Sequence, residues 1–182
     1  MSNDEEKNRL FQEVTDFFTP SKFRLILPIL LGEDIVAMST LNYFVTNYSE
    51  YFSNFVTVDD KDVYIHKAYK KKLSKHKKFY FDAFCRIVKI PFFYDTKKYI
   101  TTTVGQLNYY KWIVELDILT YVRNNHGEIY HYMKHVDLNE LRNSESDSIT
   151  ITESTSCTDS ENDRYVNKVR TKKKIKIPDD LS

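Results

Sequence analysis

Between residues 67 and 78 the sequence reads KAYKKKLSKHKK, seven lysines with no acid among them, flanked by Tyr64, Tyr69, Phe79 and Tyr80. Clustered ammonium groups bind phosphates by releasing counterions, and aromatic rings beside them stack on bases, the pairing expected of a nucleic-acid surface. The candidate phosphate contacts are Lys67, Lys70, Lys71, Lys72, Lys75, Lys77, Lys78 and Arg86, with Lys172, Lys173 and Lys174 of a second basic run near the C-terminus. The competing reading is a solvated edge strand and loop, its lysines blocking edge-to-edge pairing and its rings turned inward. Distribution favours binding more than number does: residues 66–89 hold nine Lys or Arg against the single acid Asp82, in a chain whose formal net charge is only +1.

Other reactive side chains carry weaker signals. Asp82 and Arg86 are four residues apart and would pair on a helix. Cys85, between Phe84 and Arg86 in an apolar stretch, reads as a small buried residue, since no neighbouring base would activate it as a nucleophile. His131 and His135 share a helical face, but Tyr132, Met133 and Lys134 stand where a zinc-protease helix carries its glutamate, so neither they nor His126 are assigned to a metal. The glycines at 32, 105 and 127 stand alone, which excludes a glycine-rich phosphate loop, and no carboxylate pair has recognisable catalytic spacing. No catalytic residue and no cofactor is expected, and the chain reads as a non-enzyme.

The C-terminal region has a different chemistry. From Glu140 to Asp163 there are ten Ser or Thr, seven acids and one Arg, too little apolar surface to offset the entropy of ordering, so the segment reads as disordered. Ser144, Thr150, Ser156, Thr158 and Ser160 each have an acid three residues downstream and are candidate phosphorylation sites for acidophilic kinases. A plain solvating linker is the alternative. Residues 164–176 then carry seven basic residues and no acid, the composition of a nuclear-localisation signal or of a second phosphate-binding arm.

These segments need a scaffold, and 182 residues supply one domain with a tail. Hydrophobic residues make up 41%, with 14 Tyr and 12 Phe, enough for a core despite three Gly and four Pro, although an AT-rich genome would produce part of that aromatic excess. Two cysteines make neither a disulfide framework nor a metal set, which fits a reducing compartment. The acidic N-terminus is no signal peptide, and the longest apolar run, Leu25 to Leu31, is interrupted by Pro28 and too short to span a bilayer, so no membrane association is expected.

Apolar periodicity predicts a short helix carrying Leu10, Phe11, Val14, Phe17 and Phe18, and a second capped by Ser21, kinked or ended at Pro28 and stopped at Gly32. A third has Ile35, Met38, Leu41, Phe44, Val45 and Tyr48 on one buried face. Alternation about Asp59 to Asp62 predicts a hairpin, continued through Val63, Ile65 and Lys67; residues 90–95 and 98–103 read as two further strands. Thr103 and Gln106 form a capping box that starts a long helix through Leu107, Tyr110, Val114, Ile118 and Tyr121, and a final short helix follows Gly127. The expected fold is α+β, with helices flanking a small antiparallel sheet and a disordered C-terminal tail. Its parts are a flexible terminus at 1–9, one domain at 10–138, an acidic linker at 139–163 and a basic tail at 164–182.

Phe81, Asp82, Phe84, Cys85 and Arg86 form an F-D-x-F-C-R element, and Thr102 to Trp112 form T-T-V-G-Q-L-N followed by two aromatic residues, a basic residue and Trp. With SKFRLILPILLGED and TLNYFVTNYS, these make the chain resemble, over residues 21–136, a family of small uncharacterised proteins of nucleocytoplasmic large DNA viruses. The resemblance implies a viral origin and brings no activity. Two functions are therefore carried forward. The first is a viral nucleic-acid-binding accessory factor, its partner DNA or RNA, working in host cytoplasmic factories, in the virion or in the host nucleus. The second is a virion or assembly protein that binds another viral protein through an aromatic surface. An exposed ring beside the lysines favours the first, and an exposed apolar patch elsewhere favours the second.

Overall fold

The first helix, α1 (Asn3–Phe17), buries Leu10 and Val14 on the face that the apolar spacing marks. It starts well before that spacing does, so residues expected to be flexible are helical from Asn3 onward. Glu5 and Glu6 suit the positive end of the helix dipole, and Glu6 reaches His76, its Oε1 lying 3.8 Å from Nδ1. The structure, a computed structural model, describes residues 3–76, 78–138, 140 and 174–175. The expected disorder of the acidic linker, the five candidate phosphorylation sites Ser144, Thr150, Ser156, Thr158 and Ser160, and Lys77, Lys172 and Lys173 lie outside the described residues.

Helix α2 (Pro20–Leu31) is capped by Thr19, whose hydroxyl accepts from the Lys22 N–H at 3.3 Å; Ser21, the expected cap, lies inside the first turn because Pro20 occupies the first helical position. Pro28 stays within the helix, which ends as expected at Gly32 in the left-handed region, with Glu33 N–H donating to Pro28 O at 2.8 Å. Residues 34–37 form a turn, so Ile35 is 71% exposed and does not join the buried stripe expected of it. The stripe belongs to α3 (Met38–Tyr43), a π-helical turn (Phe44–Tyr48) and α4 (Ser49–Tyr51), a continuous run in which Leu41, Phe44, Val45 and Tyr48 are buried.

The first hairpin pairs β1 (Phe55–Val58) with β2 (Lys61–Tyr64), and its turn residues Asp59 and Asp60 both have positive φ, as a two-residue hairpin of matching twist requires. The second pairs β3 (Lys89–Asp95) with β4 (Lys98–Thr103). The two hairpins belong to separate sheets, rather than the single sheet expected. A short strand β5 (Lys174–Ile175), from the segment read as a basic tail, runs parallel to β1 in the register Phe55 with Lys174 and Val56 with Ile175.

Between the hairpins lie α5 (Ile65–Lys75), which follows β2 without a loop, and a 3-10 turn (Lys78–Tyr80). After β4 the Thr103 hydroxyl accepts from the Gln106 N–H at 3.1 Å and starts α6 (Val104–Glu115); the other half of the expected capping box does not form, because Gln106 Oε1 accepts from the Thr102 hydroxyl at 3.1 Å and its Nε2 donates to Ala83 O at 3.0 Å. The long helix expected through Tyr121 breaks at Asp117, which adopts φ 47° and accepts at 2.6 Å from the Thr120 hydroxyl at the start of α7 (Ile118–Asn124). Helix α8 (His126–His135) follows.

The fold is thus α+β. One core cluster extends from Val14 to Leu138 and is largely aromatic: Phe18, Phe23 and Phe92 meet under β3, Tyr48, Phe52 and Tyr132 under the π turn, and Phe81, Tyr109 and Trp112 under α5.

Candidate nucleic-acid interface

Lys67 to Lys75 lie on a helix, not on the edge strand or loop of the competing reading, and Lys78 opens the 3-10 turn that follows. Alternation from β2 ends at Tyr64, and the 3.6-residue period takes over, placing Ile65, Ala68, Tyr69 and Leu73 against the core. Tyr69 anchors the helix, its ring centroid 5.9 Å from Phe81 and 6.0 Å from Trp112. The opposite face carries Lys67, Lys70, Lys71 and Lys75, all exposed, in a helix that contains no acid. At a rise of about 1.5 Å per residue these four cations line roughly 12 Å of one helix face.

The neighbours of this face moderate it unevenly. Lys67 lies over the Tyr64 ring at 5.1 Å, an attraction that leaves the charge at the surface. Lys70 Nζ is 3.5 Å from Glu50 Oε1, which is also 3.0 Å from His66 Nε2. Burial holds His66 below its ordinary pKa against the pull of Glu50, and Lys70 pushes in the same direction as burial. His76 is lowered by burial and then by Lys72 and Lys75, so the positive field of the helix reaches its own C-terminal end. Lys72 differs from the other lysines. It is half-buried on the inward side, burial lowers its pKa, and Glu115 opposes that shift while Lys111 and Lys75 add to it.

Three of the four rings named beside the lysines point inward, while Tyr64 is half-buried at the surface, 5.7 Å from the Phe55 ring and beneath Lys67. Tyr69 is in the core cluster, Tyr80 is buried with Leu10 and Val104, and Phe79 packs against that pair. Arg86 is exposed, but on the irregular loop at residues 81–88, where Asp82 Oδ1 accepts from the Phe84 N–H at 2.8 Å in place of the expected helical ion pair. Cys85 is buried and its thiol donates to Phe79 O at 3.3 Å, consistent with a packing role. The His131 and His135 rings are 5.1 Å apart, and among the described residues no three His, Cys, Asp or Glu side chains group to hold a metal ion. No described helix is long and apolar enough to cross a membrane.

Two exposed features escaped the sequence reading. One is Phe84, Ile87 and Val88 on the loop after Phe81, all exposed, with Val88 held at φ 55°. The other is the outer face of the second hairpin, where Phe93 and Tyr99 are 63% and 57% exposed. A strict period-2 reading of IPFFYD assigns Phe92 and Phe93 to opposite faces, and only the location of α2 decides which is outside.

Comparison with known proteins gives a family without an activity. The chain matches a family of unknown function, DUF7197, over residues 2–178. Uncharacterized protein L507 of Acanthamoeba polyphaga mimivirus is 32% identical over 127 residues, which cover 64% of this chain and 47% of that protein. The chain thus spans about half the length of the curated relative it matches. No solved structure matches it. With nearly all of its length matched and a relative in a mimivirus, the chain belongs to the DUF7197 family of unknown function, an uncharacterised giant-virus family.

Proposed function

We propose that the protein is a non-enzymatic viral nucleic-acid-binding accessory factor whose contact to phosphate is the outer face of α5. The observation that carries this reading is the row of Lys67, Lys70, Lys71 and Lys75, exposed on a helix that contains no acid and is anchored in the core by Ile65 and Tyr69, with Glu50 of α4 3.5 Å from Lys70. Lysine as a point charge on a flexible stem suits the phosphate backbone and not base edges, so this face binds without sequence preference. The basic segment containing Lys172, Lys173 and Lys174 adds a second contact, and phosphorylation of the acidic Ser/Thr segment would oppose both by charge. Work in cytoplasmic viral factories or within the virion fits such a factor.

The test is binding of labelled oligonucleotides at several salt concentrations. Four phosphates neutralised by α5 give a slope of log affinity against log salt of about −3.6, a loss of about 150-fold between 50 and 200 mM salt. Replacing Lys67, Lys70, Lys71 and Lys75 by Gln removes that part of the slope. A slope unchanged in this variant refutes the assignment to α5.

A second reading rests on a different observation. Phe84, Ile87 and Val88 expose apolar side chains on one short loop, a patch away from α5 of the kind that favours a virion or assembly protein docking another viral protein. Substituting all three by Ser would then abolish capture of that protein and leave oligonucleotide binding intact.

A further inference from the structure

The lysine face explains attraction to phosphate but offers a base little, since the flanking ring outside the core, Tyr64, is half-buried against Phe55 and covered by Lys67. The outer face of the β3–β4 hairpin offers two. In its register Phe93 lies opposite Tyr99 and Pro91 opposite Thr101, while the intervening pair Phe92 and Ile100 faces inward. The inner face is well occupied: Phe92 is 5.0 Å from Phe23, and Tyr94 stacks on Phe23 at 5.1 Å. The outer face carries Phe93 and Tyr99 with centroids 5.3 Å apart and planes inclined at 44°. They are the two most exposed aromatic rings among the described residues. A cross-strand pair steadies a hairpin, but that role does not require both rings to remain more than half exposed.

The charges around these rings select the ligand. Residues 89–103 contain Lys89, Lys97 and Lys98, all exposed, and one acid, Asp95. The Asp95 carboxylate is turned into the hairpin bend, accepting from the Thr96 N–H at 2.7 Å. Lys97 and Lys98 stand at the turn beside Tyr99, and Lys89 lies about 13 Å along the strand from Phe93. Exposed rings with cations at both ends complement a ligand that is both planar and anionic, repeated along a chain.

We propose that the outer face of this hairpin is a stacking platform for the bases of single-stranded nucleic acid, with Phe93 and Tyr99 as the stacking rings and Lys89, Lys97 and Lys98 as phosphate contacts. The proposal rests on the nucleic-acid reading for its ligand class and adds to it the strandedness. Bases in a duplex present no free face to a ring, so this surface discriminates single strand from duplex, whereas α5 does not.

The test uses the full chain with oligothymidylate, oligouridylate, a duplex and an abasic deoxyribose-phosphate oligomer of equal length. F93A and Y99A each weaken single-strand binding by about 5- to 150-fold and leave duplex binding unchanged. F93L does the same, because leucine keeps apolar bulk but has no π face. In F93W the new indole is quenched by the base-bearing oligomers and not by the abasic one; the native Trp112 is buried and contributes a constant background. The DNA and RNA arms show which strand is preferred. Single-strand affinity unchanged in F93A and Y99A overturns the proposal, as does F93L binding like wild type. A ring substitution that dissolves a dimer without altering oligonucleotide binding also overturns it, identifying the face as a contact between copies. The α5 assignment fails separately, by an unchanged salt slope in the four-lysine variant; absence of all binding at low salt overturns both.

Discussion

Replacing Gly105 by Ala tests how the FDAFCR loop is seated. Gly105 is the second residue of α6, where alanine is intrinsically preferred by about 1 kcal/mol. A Cβ at this position would stand 2.3 Å from Phe79 O, 3.1 Å from the Phe79 carbonyl carbon and 3.3 Å from Cys85 Cβ. The obstacle is backbone, and it is held in place: Phe79 O accepts from the Cys85 thiol, and the next carbonyl, Tyr80 O, accepts from Asn108 Nδ2 at 2.9 Å. Relief therefore requires the 3-10 turn and the start of α6 to separate, and overpacking of this kind costs about 1–3 kcal/mol. Because a pinned carbonyl cannot swing aside like a side chain, the upper end applies, and subtracting the propensity gain leaves a net loss of about 2 kcal/mol. For a chain of this size that is a fall in Tm of about 4–8 °C. Urea unfolding followed by Trp112 emission measures it directly. Gly127 is the control, since nothing lies within 4 Å of a Cβ there and its φ is ordinary, so G127A is neutral or stabilising by up to about 1 kcal/mol. If G105A is as stable as G127A, the close approach of Phe79 to α6 is wrong.

Three further predictions concern charge. Arg123 donates to Asp34 Oδ2 at 2.5 Å and to Leu25 O at 2.9 Å, and although burial acts to raise the Asp34 pKa, Arg123 and the Val36 N–H hold it below the usual carboxylate range. The stabilisation is complete above the ordinary carboxylate pKa of about 4 and is lost as pH falls through the lower folded value. R123A therefore costs about 2–3 kcal/mol at neutral pH and moves the acid-unfolding midpoint upward, read by circular dichroism across a pH series; an unchanged midpoint refutes the pairing. His76 is depressed by burial and by Lys72 and Lys75, so the folded state prefers neutral imidazole, and stability present above about pH 6.5 is lost on acidification through its lower folded pKa. The fall in Tm between pH 7.5 and 5.5 shrinks in H76Q, and a fall identical to wild type refutes it. Lys72 faces inward, so K72Q leaves the salt slope of oligonucleotide binding unchanged, whereas K67Q and K71Q each reduce it by about 0.9.

Local chemistry was the legible part of this sequence. The Thr103–Gln106 cap, the Asp59–Asp60 turn and the Gly32 stop depend on residues next to one another and hold in the structure. The break in the long helix was not legible, because Asp117 takes a left-handed conformation with no glycine or proline to announce it. Helix α5 was obscured for another reason: its apolar period through Ile65, Ala68, Tyr69 and Leu73 is sparse among the lysines, and the strand alternation before Tyr64 reads smoothly into Ile65 and Lys67. The start of α1 was hidden similarly, since residues 3–9 are polar and the contact of Glu6 with His76 is remote in sequence. Of the candidate site, the charge was legible and the rings were misassigned. Tyr69 and Tyr80 serve the core, and the exposed pair at Phe93 and Tyr99 depends on which side of the hairpin α2 covers.

Whether the α5 lysines merely solvate a helix can be weighed from their spacing. Lys67 with Lys70, Lys67 with Lys71 and Lys71 with Lys75 are like charges three or four residues apart, each disfavouring the helix by about 0.2–0.5 kcal/mol. A mixture of Glu and Lys would solvate the same face equally well and reverse the sign of those terms. The helix itself uses no acid there, Glu50 beside Lys70 coming from α4, and packing of Ile65 and Tyr69 on the core holds the helix against its own repulsion. Such a face is preorganised for an anion, because bound phosphate removes repulsion already present in the free protein. Salt then acts in opposite directions on the two states: it screens the repulsion and stabilises the free protein, while it competes with phosphate and weakens the complex. A polyanion at low salt accordingly raises Tm by linkage, and the gain disappears both at high salt and in the four-lysine variant. A solvating face predicts no gain under either condition.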